Sequence, residues 1–63
     1  MPYFSSTAIN RAEYDPATKV LELWFVESGG PYSYHNVPQR VFDGLCRAWS
    51  KGQYYNQNIR DQY

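Results

Sequence analysis

Residues 36–52 read NVPQRVFDGLCRAWSKG, and the way this stretch folds decides the architecture of the whole chain. At about 100° per residue, Val41, Phe42, Leu45, Cys46, Ala48 and Trp49 gather on one broad apolar face. Arg40, Asp43, Gly44, Arg47 and Lys51 lie on the other side, so the pattern predicts an amphipathic helix. Asn36-Val37-Pro38 is its entrance, because proline is favoured at the first helical position. Gly52 is the expected stop, placed as a C′ glycine would be. Gly44 weakens such a helix by up to about 1 kcal/mol relative to alanine, which points to a close approach by another backbone. A helix with one apolar face must cover something.

The surface to be covered lies upstream. VLELWFV, residues 20–26, is rich in β-branched and aromatic side chains and predicts a strand. Leu21, Leu23 and Phe25 fall on one face; Val20, Glu22, Trp24 and Val26 fall on the other, which Glu22 marks as the wetter. AINRAEY, residues 8–14, supplies a preceding strand. Asp15-Pro16-Ala17-Thr18-Lys19 makes the turn between them, since proline presets φ and aspartate accepts from the backbone that follows. Gly29-Gly30 makes a second turn. A short strand, PYSYHN over residues 31–36, follows, with Tyr32 and Tyr34 on one face and Ser33 and His35 on the other. Pro31 suits the first residue of a strand because it has no donor to give the ladder. Past Gly52, Asn56 is placed to cap a last short helix, with Ile59 and Tyr63 three and seven residues on. The fold expected is α+β: a three-stranded antiparallel β-meander packed on one amphipathic α-helix, followed by a short helical or turn-rich C-terminal segment. Residues 1–63 are expected to form a single domain.

A chain of 63 residues buries only about 60% of the surface it exposes when unfolded, so its core is thin. Cys46 is the one cysteine; it can form neither an internal disulfide nor a cysteine-type zinc site, and it fits a reducing cytoplasm. Met1-Pro2-Tyr3-Phe4 lacks the basic and apolar segments of a secretory leader. No stretch approaches the ~20 apolar residues of a membrane span. A soluble, cytoplasmic protein with no membrane partner is expected.

Six basic and six acidic side chains give zero net charge, which argues against a binder that grips nucleic acid by bulk charge alone. The charges are unevenly spread. Residues 1–27 hold Arg11 and Lys19 against Glu13, Asp15, Glu22 and Glu27. Residues 28–63 hold Arg40, Arg47, Lys51 and Arg60 against Asp43 and Asp61. An anionic partner would meet the second half.

Catalytic constellations are poorly represented. Cys46 sits on the apolar helix face and His35 on the outer face of a short strand, whereas a thiolate nucleophile needs a base in reach and an electropositive, accessible setting. Cys46 reads as a small core hydrophobe. One cysteine and one histidine cannot assemble a zinc site without several acids. Glu13, Asp15, Glu22 and Glu27 are the acids available for glycoside chemistry, and on two hairpin strands they read as solvated charges. No phosphate-cradling glycine motif is present. No enzyme activity, metal or cofactor is expected.

Binding chemistry is better represented. Arg40, Arg47 and Lys51, at i, i+7 and i+11, fall within about 40° around a helix. They form either the solvated face of an amphipathic helix or a track for a phosphate backbone. Seven of the 63 residues are tyrosine, and Tyr32, Tyr34, Tyr54, Tyr55 and Tyr63 fall in the positive half. Such rings can stack unpaired RNA bases while amides and arginines meet edges and phosphates. They can equally supply buried area with a polar tip to a thin core. The RNA reading puts Tyr54, Tyr55 and Tyr63 on bases, Asn56 and Asn58 on base edges, and Arg60, Arg47, Lys51 and Arg40 on phosphates. The alternative partner is a protein, or a second copy, docked on the outer sheet face around Trp24.

Taken in order, YDPATKVLELWF, PYSYHNVP and SKGQYYNQNIRDQY resemble the KTSC domain, a small family that takes its name from its occurrence at the C-terminus of some lysyl-tRNA synthetases. The resemblance runs from about Ser5 to Tyr63. It rests on Tyr14-Asp15, on Leu21, Leu23 and Phe25, on Tyr32, Tyr34, Val37 and Pro38, and on Ser50, Gly52, Tyr54, Tyr55, Asn56, Ile59, Arg60 and Tyr63. Three positions depart from the family pattern: Glu13 replaces a glycine, Trp24 a polar residue, and Tyr55 a phenylalanine. The resemblance implies RNA binding as a reasonable role and carries no enzymatic activity with it. It also implies a stickier outer face here than in relatives, through Trp24 with Val20 and Val26.

Overall fold

The computed structural model describes residues 8–63; the first four residues, read above for a leader, lie outside them. Three antiparallel strands, β1 (Ile9–Asp15), β2 (Val20–Phe25) and β3 (Gly29–Tyr34), form a sheet in the order β1-β2-β3. Two helices follow, α1 (Gln39–Arg47) and α2 (Lys51–Asn58). The meander and its helical cover are as expected from the periodicities, and the class is α+β.

The core face of the sheet is set by two irregularities. Ile9 pairs with Phe25, but Arg11 pairs with Trp24, so the β1 register shifts by one residue between them. That shift lets Ile9, Ala12 and Tyr14 share a face with Leu21, Leu23 and Phe25, although Ile9 and Ala12 are three apart. A second shift, between Leu23 and Phe25 on the β2–β3 side, pairs Tyr32 with Leu23 and Gly29 with Phe25. Ile9, Ala12, Leu21, Leu23, Val37, Val41, Leu45 and Ile59 are all buried together. Tyr14 stacks on Phe42 at 5.1 Å and donates from its hydroxyl to the Val37 carbonyl at 2.5 Å. The Val37 amide donates to the Lys19 carbonyl at 2.9 Å. The strand-to-helix crossing is thereby tied to the first hairpin.

The turns differ in detail from the sequence expectation. Asp15 behaves as read: its carboxylate accepts from the Ala17 amide at 2.9 Å, and Lys19 closes the turn with φ 59°. The second turn occupies residues 26–28, and Gly29, with φ 73°, already begins β3. His35 and Asn36 lie beyond β3.

The larger correction concerns residues 36–52. They are not one helix. α1 ends at Arg47, and Ala48 is extended (φ −62°, ψ 138°), so Trp49 leaves the helical repeat before its turn on the apolar face. Gly52 is no stop; it lies in the first turn of α2. Asn56 caps nothing, because Ser50 is the N-cap and its hydroxyl accepts from the Gln53 amide at 3.3 Å. Gly44 does make a close approach, but to a side chain. A Cβ there would meet the Tyr54 hydroxyl and sit 2.8 Å from its ring carbon Cζ.

Candidate nucleic-acid interface

The C-terminal segment divides into a part that packs and a part that faces water. α2 lies against α1 and β3 through Tyr54 and Tyr55, both half-buried. The Tyr54 hydroxyl donates to the Val41 carbonyl at 2.9 Å, locking the two helices over Gly44. Tyr55 meets Phe25 edge-on at 5.2 Å and Tyr34 at 5.9 Å, and the two phenols share a hydrogen bond of 2.7 Å. The Tyr55 hydroxyl therefore has a partner within the fold. Burial pushes both the Tyr34 and Tyr54 phenols above their ordinary values. For Tyr34 the hydrogen bond to Tyr55 adds to the rise and Arg60 opposes it. For Tyr54 the Tyr63 phenol adds to it, and Arg47 and Arg40 oppose it.

Those opposing charges locate the arginines. Arg40 and Arg47, exposed on α1, lie within electrostatic reach of the Tyr54 hydroxyl together with Tyr63. Arg60, past the end of α2, lies within reach of Tyr34 and donates from Nη1 to the Asn56 side-chain Oδ1 at 3.4 Å. Asn58 turns its amide back to the Tyr54 carbonyl at 3.2 Å. Lys51 is also committed inward: its ammonium donates to the Cys46 and Ala48 carbonyls at 2.7 and 2.8 Å. It satisfies the acceptors left open at the end of α1. The nine residues read from sequence thus separate. Arg40, Arg47, Asn56, Arg60 and Tyr63 face solvent, with Tyr63 41% exposed. Tyr54, Tyr55 and Lys51 hold the helices in place, and Asn58 is exposed but bonded to its own helix.

Sequence reasoning missed Trp49, which it assigned to the core. The ring is fully exposed, at 102% of its reference area. Ser50-Lys51-Gly52-Gln53 was the available signal. A serine followed three residues later by glutamine is a helix start, and a helix starting at Ser50 forces α1 to end before Trp49.

The outer sheet face is less bare than Trp24 implied. The Arg11 guanidinium lies 4.4 Å from the Trp24 ring centre and also pairs with Glu13. Glu13 and Trp24 are thus partners of one arginine. Cys46 is half-buried on α1, and burial pushes its thiol up, away from the reactive thiolate. Among the described residues no group of three or more His, Cys, Asp or Glu is placed to hold a metal, and no helix is long and apolar enough to cross a membrane.

Comparison with known proteins matches the KTSC domain over residues 5–63. A protein of Tsukamurella paurometabola is 41% identical over 58 residues, covering 92% of this chain and 85% of its own length. A lysine–tRNA ligase of Nostoc is 42% identical over 55 residues, 87% of this chain. The chain spans only 10% of that ligase's length. The crystal structure of a KTSC domain protein from Yersinia pestis superposes with a TM-score of 0.92 at 34% identity, covering 97% of this chain and 84% of that one. The matched domain is small and is not a known catalytic domain.

Proposed function

The chain belongs to the KTSC domain family, and we propose that it is a cytoplasmic, non-enzymatic RNA-binding module acting through its C-terminal half. One observation carries this reading. Between Asp43 and Asp61 the chain has Arg47, Lys51 and Arg60 and no carboxylate, and both arginines are exposed. Such a surface attracts an anionic polymer although the whole chain is neutral. Arg40, Arg47 and Arg60 would meet phosphates, Tyr63 a base, and Asn56 and Asn58 base edges. Matches to lysine–tRNA ligases support the choice of RNA among anionic polymers. Docking of a protein on the Trp24 face is the weaker reading, because Arg11 already covers that ring.

Fluorescence anisotropy of labelled RNA at increasing salt tests the proposal. Three phosphate contacts give a log–log slope of about −2 on a single strand, and Arg60→Ala should reduce its magnitude by about 0.7. Because Arg60 is exposed, that variant keeps its thermal midpoint. No salt-dependent binding at micromolar protein sinks the proposal.

A further inference from the structure

Among the described residues Trp49 takes no packing role. A tryptophan offers about 150–250 Å² of surface that proteins ordinarily bury, and here all of it meets water. Its backbone, by contrast, is held on both sides. The Ala48 amide donates to the Leu45 carbonyl at 3.3 Å, and the Lys51 ammonium grips the Cys46 and Ala48 carbonyls. Ser50 caps α2 immediately after it. The indole is therefore carried on a pinned bridge between two helices, so its base is already ordered before any partner arrives.

The surroundings say what such a ring would meet. Arg47, Ser50 and Gln53, its exposed near neighbours in the chain, are all polar, and no other large exposed hydrophobic side chain lies between Gly44 and Arg60, whereas protein docking sites are marked by contiguous apolar patches. Four residues beyond Trp49, α2 begins an exposed stripe of Gln53, Asn56 and Gln57, with Arg60 next at the same helical spacing. The contact from Arg60 to Asn56 places these two on one side. Amides offer donors and acceptors without charge, as base edges require, and between Asp43 and Asp61 the chain carries cations and no carboxylate. A ring, uncharged edge readers and flanking cations together make a site for unpaired bases, not for an A-form duplex whose bases are enclosed.

We propose that Trp49 is a stacking platform for an unpaired RNA base, with the Gln53–Asn56–Gln57 stripe of α2 contacting the adjoining nucleotides. This rests on the RNA-binding reading and commits it to single strands. The test uses the full chain with a labelled oligouridylate of about a dozen nucleotides, free and annealed to its complement. Wild type should favour the free strand. Trp49→Ala should weaken that binding by about tenfold with an unchanged salt slope and thermal midpoint, since the ring carries no charge and is fully exposed. Trp49→Phe should restore most of the loss. If Trp49→Ala binds as wild type does while the salt slope persists, the stacking platform is refuted and the RNA reading stands. If wild type shows no salt-dependent binding, both fall.

Discussion

The tyrosines that enter the core each bring a hydroxyl that must be satisfied. The Tyr14 hydroxyl donates a hydrogen bond to the Val37 carbonyl and the Tyr54 hydroxyl one to that of Val41, while the Tyr34 and Tyr55 hydroxyls share one between them. At Tyr34 and Tyr54 the fold favours the neutral phenol. Burial raises the Tyr34 and Tyr54 pKa above the unfolded value of about 10. With the folded value raised, the folded state retains protons that the unfolded chain releases, so stability is intact below about pH 10 and falls as pH climbs toward the folded values. The thermal midpoint should hold near neutrality and drop above about pH 10, and Tyr34→Phe should shrink that drop. A midpoint with the same alkaline profile in both proteins would count against this account. Composition announced seven tyrosines but could not sort them. Tyr32 and Tyr54 look alike in sequence; one is 44% exposed and the other sits over Gly44.

Among the elements, the bridge between α1 and α2 matters most. Lys51 neutralises the open carbonyls of α1 from the first turn of α2, so one side chain couples two helices too short to be stable alone. Lys51→Met keeps the aliphatic stem and removes both hydrogen bonds. The expected loss is about 1–2 kcal/mol, a fall in thermal midpoint of about 4–8 °C for each kcal/mol. A midpoint within about a degree of wild type would mean the bridge is held by other contacts. Strand alternation and the apolar period of residues 39–47 were legible because packing and period agree there. The bridge was not, because Ala48 and Trp49 continue the apolar period by coincidence. The hydrogen bond that overrides it belongs to the Ser50 start. Bulges were equally hidden: nothing in INRAE marks the register shift between Ile9 and Arg11 that puts Ala12 inside.

For the whole molecule, the sheet's outer face and the helical C-terminal half have opposite character. Glu13 and Glu22 face each other across β1 and β2, with Arg11 drawn onto Glu13 and Trp24. Gly44 to Arg60 has only positive charges. The charge asymmetry was visible in the sequence, and so were Arg40, Arg47, Arg60 and Tyr63 as solvent-facing groups. The split between solvent-facing and packed residues needed the fold, because Tyr54, Tyr55 and Lys51 spend their polar atoms inside it. The measurement that tests the central claim most directly is amide and indole NMR shift mapping as oligouridylate is added to the full chain. The account predicts the largest shifts at the Trp49 indole, with further shifts at Arg47, Gln53, Asn56, Gln57 and Arg60, while Glu13, Glu22 and Trp24 stay still. Shifts confined to the Trp24 face, or none at saturating RNA, would contradict it.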